Sequence, residues 1–191
     1  MILPIIAYGD TILKKKTEAI PKDYPRLAEI IIDMFDTMYQ AKGVGLAAPQ
    51  IGLSIRLFVV DAAPFAEDDE VLKNFKRVFI NTQMVKEVGA KWKFNEGCLS
   101  IPGVREDVFR KQEIEIEYMD ENFVKHKEEF DGTAARIIQH EYDHIEGVLF
   151  TDRISAMRRQ LIRGSLKNIS IGDVEVDYKM RFPVKKSSTV K

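Results

Sequence analysis

Residues 140–144 read His-Glu-Tyr-Asp-His, the pattern H-E-x-x-H. On a helix, positions i and i+4 lie about one turn apart on one face, so both imidazoles can reach a single metal ion. Glu141 follows the first histidine, close enough to serve a metal-bound water as a base without being a ligand itself. The chain has three histidines, and two of them are here. The third, His126, sits in the Lys- and Glu-rich run Val124 to Glu129 and reads as a surface residue. Two ligands do not hold a catalytic metal, so a third is needed. Glu146, Asp152, Asp173 and Glu175 are possible donors downstream, and Cys98, in Glu96-Gly97-Cys98-Leu99-Ser100, is possible upstream. A thiolate is a strong ligand for zinc or ferrous iron. Taken alone, a single cysteine is more often a small buried hydrophobe. One cysteine and two histidines would leave a position open for water or substrate, as a catalytic site requires. Gly97 would let the backbone approach the metal closely.

A third segment of interest is Gly43-Val44-Gly45-Leu46-Ala47-Ala48-Pro49-Gln50. Small residues imply close backbone packing or exposed backbone donors, and Gln50 brings an amide with donors and an acceptor. The Gly-x-Gly is not a dinucleotide fingerprint, because it follows a helix and lacks the third glycine.

The elements that must hold these residues follow from periodicity. Leu27, Ile30, Ile31, Met34, Phe35 and Met38 form one apolar stripe, which predicts a helix over about 25–41. Asp23 and Pro25 are its start signals, and Gly43 its stop. Residues 55–60 read as a buried strand, 63–70 as an acidic loop, and 77–81 and 84–88 as further strands. Glu113 to Tyr118 alternates strictly and predicts a strand with one wet face, its Glu row solvated. Phe123 to Phe130 is its hairpin partner across the turn Asp120-Glu121-Asn122. A second helix is predicted from Thr133, as N-cap, to about Glu146, with Gly147 just past its end. A third runs from Asp152 or Ser155 to about Lys167. The first residues, Met1 to Ala7, read as an opening strand or packed arm and not as a signal peptide.

With 191 residues, 45% hydrophobic and 31% charged, the chain is of ordinary globular composition, which excludes a collagen, a coiled coil or a wholly disordered protein. The pattern predicts an α+β fold with mainly antiparallel β-sheet around a central helix that carries H-E-x-x-H. We read one catalytic domain over 1–191, with a C-terminal helix and extension at about 152–184 and a flexible tail at about 185–191. The 29 basic and 30 acidic side chains balance, so no whole-chain attraction to nucleic acid or membrane is expected. No run approaches the length of a membrane span. The lone thiol suits a reducing compartment, and a cytoplasmic protein is expected.

Gly43 to Gln50, Glu96 to Ser100 and His140 to His144, in that order, resemble the three motifs of the peptide deformylase family. The resemblance extends from about Tyr8-Gly9-Asp10 through Phe150, with no departure at a motif position. It implies removal of formate from the formyl-methionyl N-terminus of nascent chains. It implies Cys98, His140 and His144 as metal ligands and Glu141 as general base and acid, with Gln50 and the Leu99 N–H stabilising the oxyanion. One divalent ion per chain is implied, natively Fe2+, with Zn2+, Ni2+ or Co2+ able to replace it. Substrate contacts would include the backbone of Val44 and Gly45, Gly97, Arg105, and an apolar pocket with Ile137 and Phe94. Two alternatives stay open: a zincin-type endopeptidase with a different third ligand, and a metal-stabilised, non-enzymatic binding module. Five basic residues and no acidic one lie between Arg153 and Ser170, which raises a transient contact with ribosomal RNA. No specific DNA partner is expected.

Overall fold

The computed structural model describes residues 1–67 and 69–183. The order is β1 (Ile5–Ile6), α1 (Leu27–Gln40), β2 (Gly45–Ala47), β3 (Leu57–Asp61), β4 (Lys76–Cys98), β5 (Ile101–Met119), β6 (Lys125–Phe130), α2 (Gly132–Ile145), α3 (Ala156–Leu161), α4 (Arg163–Ile171) and β7 (Met180–Arg181). Strands β2 to β6 form one antiparallel sheet in sequence order, and β1 pairs with β7 in parallel. The predicted α+β class is what the structure has. The proposed tail at 185–191 lies outside the described residues.

Strand β3 explains the arrangement. Leu57 and Val59 pack on one face of the sheet with Met34, Phe35 and Met38 of α1. Phe58 and Val60 pack on the other with Ile137, Ile138 and Ile145 of α2. A strand covered on both faces reads as a continuous apolar run, because alternation needs one wet face. A third cluster joins Ile101, Val104 and Val108 of β5 to Leu149, Phe150 and α4 residues Leu166 and Ile169.

The sequence divides the centre of the chain differently from the structure. The two short strands expected at 77–81 and 84–88 belong to one 23-residue strand, β4. Its register with β5 shifts between Ile80 and Gln83, Met84 and Lys86, and Val88 and Lys91. These bulges interrupt the period-2 pattern, so the sequence looks like separate pieces. Asn81, at φ 53°, has its side chain bonded to both the N–H and the carbonyl of Ile20, 2.8 Å each. Asn is among the residues most often found in the left-handed region, and these bonds to a distant segment hold it there.

Helix boundaries also needed correction. α1 is entered through Arg26 at φ 58° without a side-chain cap, so Asp23 does not cap it. The left-handed residue after it is Lys42, at φ 55°, not Gly43. α2 is preceded by Asp131, and Thr133 lies inside the helix. The expected third helix is two, broken at Ile162, although Ser155 does cap the first by accepting from the Arg158 N–H. The acidic loop forms short 3-10 turns at Ala63–Phe65 and Glu70–Asn74. The solvated Glu row holds, with Glu115 paired to Lys86 and Lys127 across the strands, and Glu117 to Lys125.

Phe79 is fully buried, stacked on Phe58 at 4.7 Å and in contact with the rings of Tyr118 and Phe130. Phe79→Ala should destabilise the protein by about 3–5 kcal/mol, because the four-ring cluster cannot close over the lost volume. A urea unfolding midpoint compared with the wild type, at unchanged slope, measures this. A change below 1 kcal/mol would mean the cluster collapses freely, roughly the cost of a single methylene.

Candidate metal centre and active site

α2 brings His140 and His144 to the end of the β4–β5 hairpin, where Cys98 closes β4. The ligand atoms of Cys98, His140 and His144 all lie within 4.8 Å of one another. Cys98 Sγ is 3.3 Å from His144 Nε2. The other possible third ligands are engaged elsewhere or lie apart. Glu146 pairs with Lys16 and Arg56, and Asp152 with Lys14. Glu175 lines the outer part of the cleft, and Asp173 belongs to no metal-sized cluster among the described residues. His126 is half-buried, bonded to Asp120 at 2.9 Å and stacked on Tyr118, remote from the site in the sheet.

A sulfur and two imidazoles suit a borderline or soft divalent cation. The orientation of His140 fits as well. Its Nδ1 is 2.9 Å from the Glu96 carboxylate, which fixes the tautomer and leaves Nε2 for a metal. Burial alone would raise the Glu96 carboxyl. Hydrogen bonds from Arg110 and His140 outweigh it and hold the group well below the usual carboxylate range. Burial holds His144 well below its ordinary value, so this imidazole stays neutral, as a ligand must be.

Sequence reasoning missed the scaffold beneath these ligands. Glu96 accepts from Arg110 Nε and Nη2 at 2.7 and 2.9 Å, and from Arg136 Nη1 at 2.9 Å. Arg110 also donates to Asp143 at 2.7 Å, and Asp143 is further paired with Arg153. Glu96, Arg110, Arg136 and Asp143 are all at least 96% buried. Burying four charges is tolerable because each is paired and hydrogen-bonded. The available signal was Arg136 and Asp143 in a helix whose Ala134, Ala135, Ile137, Ile138 and Ile145 mark it as buried.

Glu141 is also buried, and its Oε2 has no hydrogen-bond partner. Burial pushes its carboxyl up to about 7, against the pull of neighbouring His140. A carboxylate near neutrality that opens onto a cleft is suited to proton transfer. Gly45 makes the room: a Cβ there would lie 2.7 Å from Glu141 Cδ. At Gly97 the tight neighbour is the Arg105 guanidinium, 2.8 Å from a Cβ, so this glycine gives the arginine room. Gln50 is held by its Oε1, which accepts the Ala47 N–H at 2.8 Å. Its Nε2 is left facing Ser100 Oγ at 3.3 Å and Cys98 Sγ at 3.5 Å.

These groups share a cleft of about 920 Å³ that includes Val44, Gly45, Gln50, Gly97, Leu99, Arg105, Phe94, Ile137, His140 and Glu141. Of the ligand, catalytic and substrate-contact residues that the resemblance implies, all line it except the buried His144. Arg105 donates to the Asn95 side chain at 2.8 Å and to its carbonyl at 2.6 Å. Phe65, from the loop read only as acidic, adds an apolar wall beside Phe94.

The sequence model of the family described as polypeptide deformylase matches residues 2–160. The chain belongs to the peptide deformylase family. A peptide deformylase of Christiangramia forsetii is 60% identical over 190 residues, covering 96% of this chain and 97% of that one. One of Flavobacterium johnsoniae is 57% identical over 193 residues, covering 97% and 98%. The crystal structure of a peptide deformylase from Legionella pneumophila superposes with a TM-score of 0.78 at 35% identity, over 91% of this chain and 98% of that one. The chain is therefore an enzyme, a hydrolase of a family that uses a divalent metal, and Cys98, His140 and His144 form a cluster that could hold one. The endopeptidase and binding-module alternatives lose their ground.

Two substitutions test the geometry. Glu96→Gln should weaken metal affinity by about 10–100-fold, since it disturbs the partner that orients His140. Chelator competition on the purified protein reads this, and unchanged affinity would reject the role. Gly45→Ala should leave metal content intact but lower turnover by roughly 10², the cost of displacing a reacting group by an ångström. Activity equal to wild type would show that Glu141 tolerates the intrusion.

Proposed function

We propose that this chain hydrolyses the formamide at the N-terminus of formyl-methionyl peptides, releasing formate. The observation that carries the reading is the unpartnered Glu141 carboxylate, in the cleft beside the Cys98–His140–His144 cluster. Bound there, the metal, natively Fe2+ by the donor set and the family resemblance, would lower the pKa of a water and so supply a nucleophile at neutral pH. Zn2+, Ni2+ or Co2+ would suit the same donors. Glu141 accepts the nucleophile's proton and delivers it to the leaving amine. Gln50 Nε2 and the Leu99 N–H act as the donors to the oxyanion. The tether through Oε1 turns the Gln50 amide N–H groups toward the Cys98–Ser100 segment, where the oxyanion would form.

The methionine side chain would occupy the apolar wall of Ile137 and Phe94, to which we add Phe65. β2 is an edge strand of the five-stranded sheet, so the peptide groups of Val44 and Gly45 can take an extended substrate by strand addition. Gly97 and Arg105 lie further along the same cleft, suited to the following residues.

We read the whole chain as one catalytic domain of the cytoplasm. Among the described residues, no helix is long and apolar enough to cross a membrane. Contact with the ribosome has a narrower basis than the basic count suggested. Arg153 pairs with Asp143, Arg158 with Glu106, and Arg159 donates to the carbonyls of Thr151 and Asp152. Arg163 and Lys167 remain, beside a surface groove with Tyr8 and Gln160.

Formate release from a formyl-methionyl tripeptide tests the function, with protein prepared anaerobically in ferrous iron to protect the thiolate. Glu141→Ala should retain metal and fold yet lose about 10²–10⁴ in rate. No release by folded, metal-loaded wild type would overturn the reading.

A further inference from the structure

The family's sequence model ends at residue 160, but the cleft does not. After α4 the chain turns at Gly172 (φ 81°) and runs back as a strap that ends in β7. Glu175, Val176, Asp177 and Tyr178 of this strap form one wall of the cleft. The strap is anchored on either side of Tyr178. Below it, β7 pairs with β1, with the Ile5 N–H bonded to the Lys179 carbonyl at 2.8 Å and the Ala7 N–H to the Arg181 carbonyl at 2.9 Å. Above it, Lys42 Nζ bridges the cleft mouth to Asp177 at 2.6 Å.

Between these anchors, the Tyr178 hydroxyl donates to the Leu99 carbonyl at 2.8 Å. Leu99 and Ser100 are the two-residue turn that joins β4 to β5, directly after Cys98. Such a turn has no ladder partners of its own, so its orientation depends on outside contacts. Ser100 has two: its carbonyl accepts the Tyr8 N–H at 2.8 Å, and its hydroxyl faces Gln50 Nε2 at 3.3 Å. Tyr178 is the partner of the Leu99 carbonyl. Its ring packs into the core beside α1, and burial raises its phenol above the ordinary value, so at neutral pH it stays a donor.

We propose that Tyr178 is a positioning residue for deformylation, which holds the Leu99–Ser100 turn so that the Leu99 N–H faces the developing oxyanion. This rests on the reading of Leu99 as an oxyanion donor and deepens it. The strap thus belongs to the active site, although it lies beyond the part of the chain that defines the family. The Leu99 carbonyl and N–H lie in successive peptide planes that meet at its Cα, so pinning the carbonyl restrains the rotation by which the turn, and with it the N–H, would swing away. A ground-state substrate carbonyl gains little from that alignment. The transition state gains most, because charge develops there.

The test is steady-state formate release by full-length, metal-loaded Tyr178→Phe beside wild type, with metal stoichiometry and thermal midpoint measured on both. The substitution keeps the ring and its packing and removes the hydroxyl. The expected result is a fall in kcat of about tenfold, below the 10²–10³ of losing the donor outright. KM should stay within about twofold, the pattern of an interaction made only in the transition state. Metal content should be unchanged. Active wild type with an equally active Tyr178→Phe would overturn the proposal while leaving the deformylase reading intact. A fall in kcat that tracks lost metal or lost folded protein would make Tyr178 a stability residue and overturn it too. Wild type that releases no formate would remove both.

Discussion

The Glu96 carboxylate is the contact on which the site depends. It sits in the protein interior two residues before the cysteine ligand, and it receives Arg110 from β5 and both Arg136 and His140 from α2. An ionised carboxylate without partners would be too costly to bury there, and so would either arginine. The ions are therefore mutually dependent, and their geometry is enforced by the cost of separating them. That constraint locks the end of β4 to one face of α2, which is the relation a three-ligand site spanning strand and helix requires. Asp143 extends the lock to Arg153 and the segment leading to α3.

Around this lock the fold solves a packing problem. The sheet carries α1 on one face and α2 on the other, so β3 is buried on both faces while its neighbour β2 stays at an edge. Burial on both faces makes the support rigid. The open edge lies beside Glu141, where we read an extended peptide as pairing. Gly45 belongs to that edge and also gives Glu141 its space.

Legibility along the chain follows how local each signal is. α1 and α2 emerged within a residue or two, since an apolar stripe at helical period is written in adjacent residues. The hairpin around Asp120 emerged too, because Asp120 Oδ1 accepts from both Asn122 and Val124 N–H in a local turn. β4 did not emerge whole. Its bulges break the alternation, and its continuity comes from pairing with β5 across the hairpin. The break at Ile162 and the left-handed entry at Arg26 were equally invisible, since neither position carries a glycine or proline to mark it.

The chemistry of the site was determined by sequence alone. H-E-x-x-H on a helix fixes the relative position of two imidazoles and a carboxylate through the helix's own geometry, and the motif order points to Cys98 and Gln50. Only the tertiary structure decided what makes those residues function together. It set the depth of Glu141, the tautomer of His140 and the tether on Gln50, and it brought Phe65 and Tyr178 to a cleft far from them in the chain. The physical reason is range. A helix carries its spacing in consecutive residues, whereas desolvation, buried ion pairs and the walls of a cleft depend on segments that meet only after the sheet has closed.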